Sequence, residues 1–271
     1  MDNLISSKEN VHIKYAKKVM TSSKFRNQEN CFLIEGIRLC EDALNNSVVL
    51  KETFYTKKCF EKSKNILEKI ISKSQKSFMV SESLMNIISD TDAPQGIVCI
   101  CEKNMSNVNF EDELNAVNKI VLLENIQNPS NLGTIFRTCD ALKIENVIIL
   151  GNGCDVYNPK VLRGSMGAVF RLNIFEFANS LETVNRLKNF GFKIYATTPQ
   201  NDAKFVNNMN FSGRFGIILG NEGNGLKQEL IDICDEKIKI PMNSNAESLN
   251  VSVACGILIW EMMKKELLNE R

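Results

Sequence analysis

The sequence predicts an α/β protein, and three observations predict it. Short apolar strands alternate with helical stretches along the whole chain, the strands of the second half are longer and almost continuously apolar, and several of them run into polar, Gly- or Asn-containing loops. At 271 residues there is room for one large domain or two ordinary ones. A composition of 44% hydrophobic and 24% charged residues is enough to bury a real core. The net charge of +1 sets up no global basic field, so any nucleic-acid surface must be a local patch.

The nine cysteines are scattered, with Cys99 and Cys101 the only close pair and no CxxC spacing. With His12 the sole histidine, a zinc site is not expected, and the odd cysteine count fits a reducing compartment. The first twenty residues are too polar for a signal peptide, and no apolar run reaches the length of a membrane span. A soluble, cytoplasmic protein with no metal and no membrane partner is expected.

The elements follow in order. Residues 8–26 place Lys8, Lys14, Lys17, Lys18, Lys24 and Arg26 around Val11, Ile13, Tyr15, Ala16 and Val19, a basic amphipathic helix. Strands at 31–34, 52–56, 77–80 and 96–100 then alternate with helices at 37–44, across the lysine-rich 60–73, and near 82–88. That is a compact α/β unit over 27–101, and the polar, weakly patterned 102–118 reads as linker. From 119 to 271 the strands are 120–124, 146–150, 170–176, 192–197, 215–220 and 237–241, with helices between several of them. Continuous apolar strands of this kind indicate a parallel sheet covered on both faces.

Three segments carry the chemistry. In NIQNPSNLGTIFRTCDAL (125–142), Pro129 suits a helix start and Leu132, Ile135, Phe136 and Cys139 form a buried stripe. Asn131, Thr134 and Arg137 fall elsewhere on the helix, at the sheet edge where open α/β folds bind ligands. ILGNEGNGL (218–226) has the glycine spacing of a phosphate loop, but Leu226 stands where that loop needs lysine. What remains is a Gly-rich turn whose backbone can approach a ligand, with Glu222 in its middle. IPMNSNAESLNVSVA (240–254) leads from a strand through a polar loop to Ser248, Leu249 and Asn250 at the threshold of an apolar helix, Val251 to Met263. Taken singly, each segment is as well read as a capped helix or a plain turn. Together they suggest one pocket without histidine, cysteine or paired carboxylates, which disfavours hydrolytic and zinc chemistry and suits group transfer from an activated donor.

NPSNLGTIFRT, GNEGNGL and IPMNSNAESLNVSVA, in that order over residues 119–264, resemble the three motifs of the SpoU (TrmH-like) RNA ribose 2′-O-methyltransferases, within the SPOUT class. Residues 27–101, with QENCFLIEGIRLCEDAL near their start, are more loosely similar to the L30e-like RNA-binding domain that precedes some members. The resemblance implies a parallel-sheet SPOUT domain with a deep trefoil knot behind a smaller L30e-like domain, S-adenosylmethionine bound in the knot, and a homodimer. It implies Gly220, Ile240 and Leu249 as backbone contacts to the cofactor, and Asn131, Arg137, Glu222, Ser248 and Asn250 as the reaction-side residues. Departures are small: Asn125 stands where an acid is frequent, and Cys139 where alanine is frequent.

On this resemblance the RNA expected is ribosomal, with tRNA as the alternative. Positive charge for the phosphates is expected from the lysines at 57, 58, 62, 64, 69, 73 and 76 and from the helix at 8–26. A non-catalytic RNA-binding assembly factor, and a nucleotide-dependent enzyme using the Gly-rich loop, are the readings from other classes.

Overall fold

The structure is a computed structural model that describes residues 3–103, 110–243, 245 and 248–269. Its contacts divide the chain into two compact units: Met1–Met105 with Asp155–Phe170, and Ser106–Cys154 with Arg171–Arg271.

The first unit runs β1 (Asn3–Ile5), α1 (Val11–Thr21), α2 (Ser23–Gln28), β2 (Cys31–Glu35), α3 (Ile37–Asn45), β3 (Leu50–Tyr55), α4 (Lys57–Lys62), α5 (Lys64–Lys73), β4 (Lys76–Val80), α6 (Glu82–Ile88) and β5 (Ile97–Glu102). Its sheet has the order β1-β4-β3-β5-β2, with β5 antiparallel to both neighbours and the other pairs parallel. The stretch 8–26 forms two helices, because Ser22 leaves helical geometry and its hydroxyl caps the second by accepting from Phe25 N at 3.2 Å. Ile13, Ala16 and Val19 bury their face of α1 in one core with Leu33, Phe54 and Ile100. The helix foreseen across 60–73 is likewise broken at Ser63, between α4 and α5.

One expected cation is withdrawn from the RNA-facing charge. Arg26 is only 3% exposed, and its guanidinium donates to the carbonyls of Val19 and Met20 and to Asp155. A guanidinium buried in this way, with four of its five N–H donors bonded inside the fold, is out of reach of a phosphate. The lysines at 57, 58, 62, 64, 69, 73 and 76 are all exposed.

The second unit continues with α7 (Phe110–Ala116), β6 (Lys119–Glu124), α8 (Pro129–Ala141) and β7 (Asn146–Leu150). After α9 (Pro159–Ser165), which packs with the first unit, come β8 (Asn173–Phe177), α10 (Ser180–Asn189), β9 (Lys193–Thr197), β10 (Lys204–Phe205), β11 (Phe215–Leu219), α11 (Gln228–Ile233), β12 (Glu236–Lys239) and α12 (Val251–Asn269). All seven strands are parallel, in the order β10-β12-β9-β11-β6-β7-β8. Alternate strand residues (Ile120, Leu122, Ile148, Ile194, Ile218) pack against α7, α10 and α11. The intervening Val121, Leu123, Val147, Ile217 and Leu219 are buried as well, on the side where α12 meets β11 and α8. Burial on both faces is why these strands read as unbroken apolar runs.

Two boundaries differ from the sequence reading. Within 102–118, α7 forms because Phe110 and Leu114 have a core to enter; residues 104–109 lie outside the described ones. The strand foreseen at 170–176 begins at Asn173, since Phe170 closes a 3₁₀ turn and sets its ring 6.2 Å from that of Phe32 in the first unit. Among the described residues no helix is long and apolar enough to cross a membrane.

Ile218 sits at the centre of the larger sheet with no exposed surface. Ile218→Ala is expected to lower unfolding free energy by about 2–5 kcal/mol in denaturant titration. A loss below ~1 kcal/mol would mean the strand does not anchor this core.

Candidate active site

The site is assembled where β6, β9, β11 and β12 end. At the end of β6 the chain turns through Asn125, held at a positive φ of 52° with its side-chain oxygen accepting from Asn152 N at 2.7 Å. Asn128 then caps α8 by accepting from Ser130 N, and Pro129 takes the first helical position, where no N–H is needed. The backbone N–H groups of Gln127 and Asn128 point outward at this helix start, and Glu222 accepts both, at 3.1 and 3.0 Å.

Glu222 also accepts from the Asn131 amide at 3.1 Å, and Asn131 Oδ1 in turn accepts from Asn250 Nδ2 at 3.0 Å. Asn250 spends its own side-chain oxygen on the start of α12, accepting from Ser252 N at 2.9 Å. One chain of hydrogen bonds therefore joins all three segments singled out in the sequence. Asn131 is the buried member, 8% exposed, with both ends of its amide satisfied.

Beside this chain lies a cavity of about 550 Å³ whose walls include Thr197–Gln200, Gly220–Leu226, Ile240, Ser248 and Leu249. Gly220, Ile240 and Leu249, the expected cofactor contacts, all line it, as do Glu222 and Ser248. Gly220 has no room for a side chain: a Cβ there would stand 2.2 Å from the carbonyl carbon of Gly225. The loop is folded back so tightly that backbone, not side chain, forms this wall, as close approach to a ligand demands. Residues 244, 246 and 247 of the third segment lie outside the described ones.

Asn221 organises that loop and was not singled out from sequence. Its backbone pairs with Gly225 in both directions, its side-chain oxygen accepts from Gly223 N at 2.9 Å, and its amide donates to Asn125 O at 2.9 Å. An Asn inside a Gly-rich turn is the available signal, since Asn bonds its own backbone two residues on. Thr197–Gln200 were also missed; TTPQ after an apolar strand repeats the strand-then-polar-loop pattern of the other three.

Arg137 lies about two turns along α8 from the junction, exposed. Among the described residues its guanidinium has no hydrogen-bond or ion-pair partner. It does not line the cavity. Further along the α8–α12 contact, the adjacent Cys255 thiol and burial push the Cys139 thiol well up, which keeps that thiol unreactive.

Burial pushes the Glu222 carboxyl up, but hydrogen bonds from Asn131 and from backbone N–H groups outweigh it and hold the group below its ordinary value. Such a carboxylate is a poor proton acceptor at neutral pH. Its accepting oxygens serve as a tie between loops.

Parallel sheet, tied loops and backbone-walled cavity agree with the SPOUT-class methyltransferase architecture that the three motifs resemble. The SpoU rRNA Methylase family model matches residues 118–260, and the MRM3-like substrate binding domain model matches residues 10–99. The chain belongs to the SpoU rRNA methylase family. It is 33% identical over 258 residues to the 23S rRNA (guanosine(2553)-2′-O)-methyltransferase RlmP of Bacillus subtilis, covering 95% of this chain and 98% of that one. An AdoMet-bound rRNA methyltransferase from Sinorhizobium meliloti superposes with a TM-score of 0.84 at 26% identity, over 97% of this chain and 98% of that one. The SpoU methyltransferase AviRb from Streptomyces viridochromogenes, solved with AdoMet, shares the fold with a TM-score of 0.84 at 22% identity, over 96% and 99% of the two chains.

The depressed Glu222 pKa sets a sign for pH dependence: its stabilising contribution is complete above the ordinary carboxylate range and is lost as pH falls through the folded-state value. The difference in thermal midpoint between wild type and Glu222→Gln should therefore be widest above the ordinary carboxylate range and shrink as the pH is lowered through and below it. A difference that stays constant across that range would refute the tie.

Proposed function

We propose that this chain transfers the methyl group of S-adenosylmethionine to a ribose 2′-hydroxyl of ribosomal RNA. The observation that carries the reading is the hydrogen-bonded junction Asn250–Asn131–Glu222 beside a cavity walled by Gly220, Ile240 and Leu249. The cavity suits this cofactor: it is large enough for a nucleoside with an amino-acid arm, and the Gly220 contact presents bare backbone to a ligand. Family membership and the 2′-O-methyltransferase among the relatives support the same conclusion.

When bound, the cofactor supplies a sulfonium-activated methyl. The chain's own residues then have to position a hydroxyl and favour its alkoxide character. We assign that electrostatic role to Arg137. A guanidinium is a reluctant base but a permanent cation, and among the described residues this one has no partner to neutralise it. Ser248 at the cavity wall is placed to meet the ribose, Asn131 and Asn250 at the junction hold the loops that carry it, and Glu222 keeps them in register. The exposed lysines of α4 and α5 offer phosphate contacts in the first unit, whose match to a substrate-binding domain supports that role.

The functional unit in this reading is a homodimer. Val253, Ile257 and Trp260 are 51%, 36% and 42% exposed and recur at helical spacing, an apolar stripe on α12 that a second copy would cover.

Two outcomes are expected. Arg137→Ala should bind S-adenosylmethionine in calorimetry with unchanged affinity yet lose about 10²–10³-fold in methyl transfer to ribosomal RNA, read by 2′-O-methyl mapping. Transfer at the wild-type rate would remove the arginine from the chemistry. Trp260→Asp should shift the mass measured by light scattering from dimer to monomer; a retained dimer would place the interface elsewhere.

A further inference from the structure

A second cavity, of about 200 Å³, lies in the first unit, where the start of α3 meets the end of α9. Nothing in the proposed chemistry uses it, yet its walls are specified in detail. Gly36 has a φ of 97°, which lets the Gln95 side chain fold over it and accept from Ile37 N at 3.3 Å. Gly167, at a φ of 82°, lies so close to Asp42 that a Cβ there would stand 2.5 Å from Asp42 Oδ2. Between them Met166 caps α9 in the left-handed region, with φ 50° and ψ 43°, and leaves 41% of its surface exposed at the rim. A bulky non-glycine residue held there is strained, and such strain gathers at ligand clamps.

The polar groups divide into committed and uncommitted ones. Glu35 accepts from Asp90 N and from the Thr91 hydroxyl, and Asp90 accepts from Arg163 Nη2 at 2.7 Å. Arg163 lines the cavity, and its Nη1 is enclosed in the fold without a partner. Among the described residues Arg38 has no hydrogen bond or ion pair, Gln95 Nε2 donates to nothing, and the Asp42 carboxylate accepts nothing. The cavity thus offers guanidinium donors and a carboxylate acceptor between apolar Leu39 and Met166.

A phosphate meets the arginines but is repelled by Asp42. A flat neutral ring with donors on one edge and acceptors on another meets both. Among nucleobases guanine has that arrangement, O6 and N7 for arginine and N1–H and N2–H₂ for a carboxylate. Proteins that read RNA by sequence do so mainly on unstacked bases, slotted against side chains and bonded along their edges. We propose that this cavity takes one unpaired guanine of the RNA, with Asp42 on its N1/N2 edge, Arg38 and Arg163 on its O6/N7 edge, and Met166 against its face. The inference rests on the RNA methyltransferase reading and adds to it a base-specific contact outside the reaction centre.

The test uses the full chain and four fluorescent nine-nucleotide RNAs, all pyrimidine apart from a central guanosine, inosine, adenosine or uridine, titrated by anisotropy. Inosine lacks only the N2 amino group, so this comparison needs no altered protein. Wild type should bind the guanosine RNA about tenfold more tightly than the other three. Asp42→Asn and Arg38→Ala should level the four affinities, with thermal midpoint and S-adenosylmethionine affinity unchanged. Equal affinities in wild type, no binding of the guanosine RNA, or a guanosine preference that survives both substitutions would overturn the proposal. Methyl transfer to ribosomal RNA is measured alongside. Transfer without base preference rejects the guanine site alone, whereas absence of transfer rejects the reading beneath it.

Discussion

The Glu222 carboxylate holds the second unit's site together by a simple constraint: a helix that begins at a sheet edge leaves backbone N–H groups without partners. At the entrance of α8 the N–H of the N-cap Asn128, and that of Gln127 just before it, are met by an acid 94 and 95 residues further along the chain. A carboxylate has acceptor sites to spare, and the remaining one takes Asn131, which hands the connection on to Asn250. Three loops that would otherwise move separately are thereby set in one register beside the cavity. Glu222 lines the cavity while it closes the helix start, so fold and cavity share one set of hydrogen bonds.

The parallel strands and covered faces of the larger sheet were legible because burial on both sides leaves an unmistakable run of apolar residues, as in IVLLE and FGIIL, whereas their order was not. The polar residues of the three segments were legible for a related reason. Asn131 and Asn250 occupy positions at helix starts where polar side chains do local work, and their spacing along the chain carried the resemblance. What could not be read was pairing across distance. Nothing local says that Glu222 meets the start of α8, or that the Asn221 amide reaches Asn125 O. Backbone walls are equally silent: Gly220 is visible as a glycine, but the carbonyl 2.2 Å from its missing side chain is not.

The first unit shows the complementary difficulty. Arg26 reads as one more cation on a basic helix, yet it is buried against Asp155, 129 residues away. The segment carrying Asp155, α9 and Phe170 lies inside the span matched by the SpoU model, but packs with the residues matched by the substrate-binding model. Its sequence, DVYNPKVLRGSMGAVF, alternates polar and apolar residues without announcing which core it will join. Only contacts such as Phe32 with Tyr157, ring centroids 4.9 Å apart, decide that.

The hydrogen bond from Asn250 to Asn131 has a consequence for how the protein is made. Synthesis is vectorial, and domains fold as their last necessary segment emerges. Because Asn131 waits for a partner 119 residues later, the site cannot close while the chain is still short of α12. The first unit has no such dependence beyond Phe170, so about a hundred residues remain to be made after its last segment is available. A nascent chain thus holds its substrate-facing unit well before it holds a competent reaction centre. Ordering of this kind lets recognition precede chemistry within a single polypeptide.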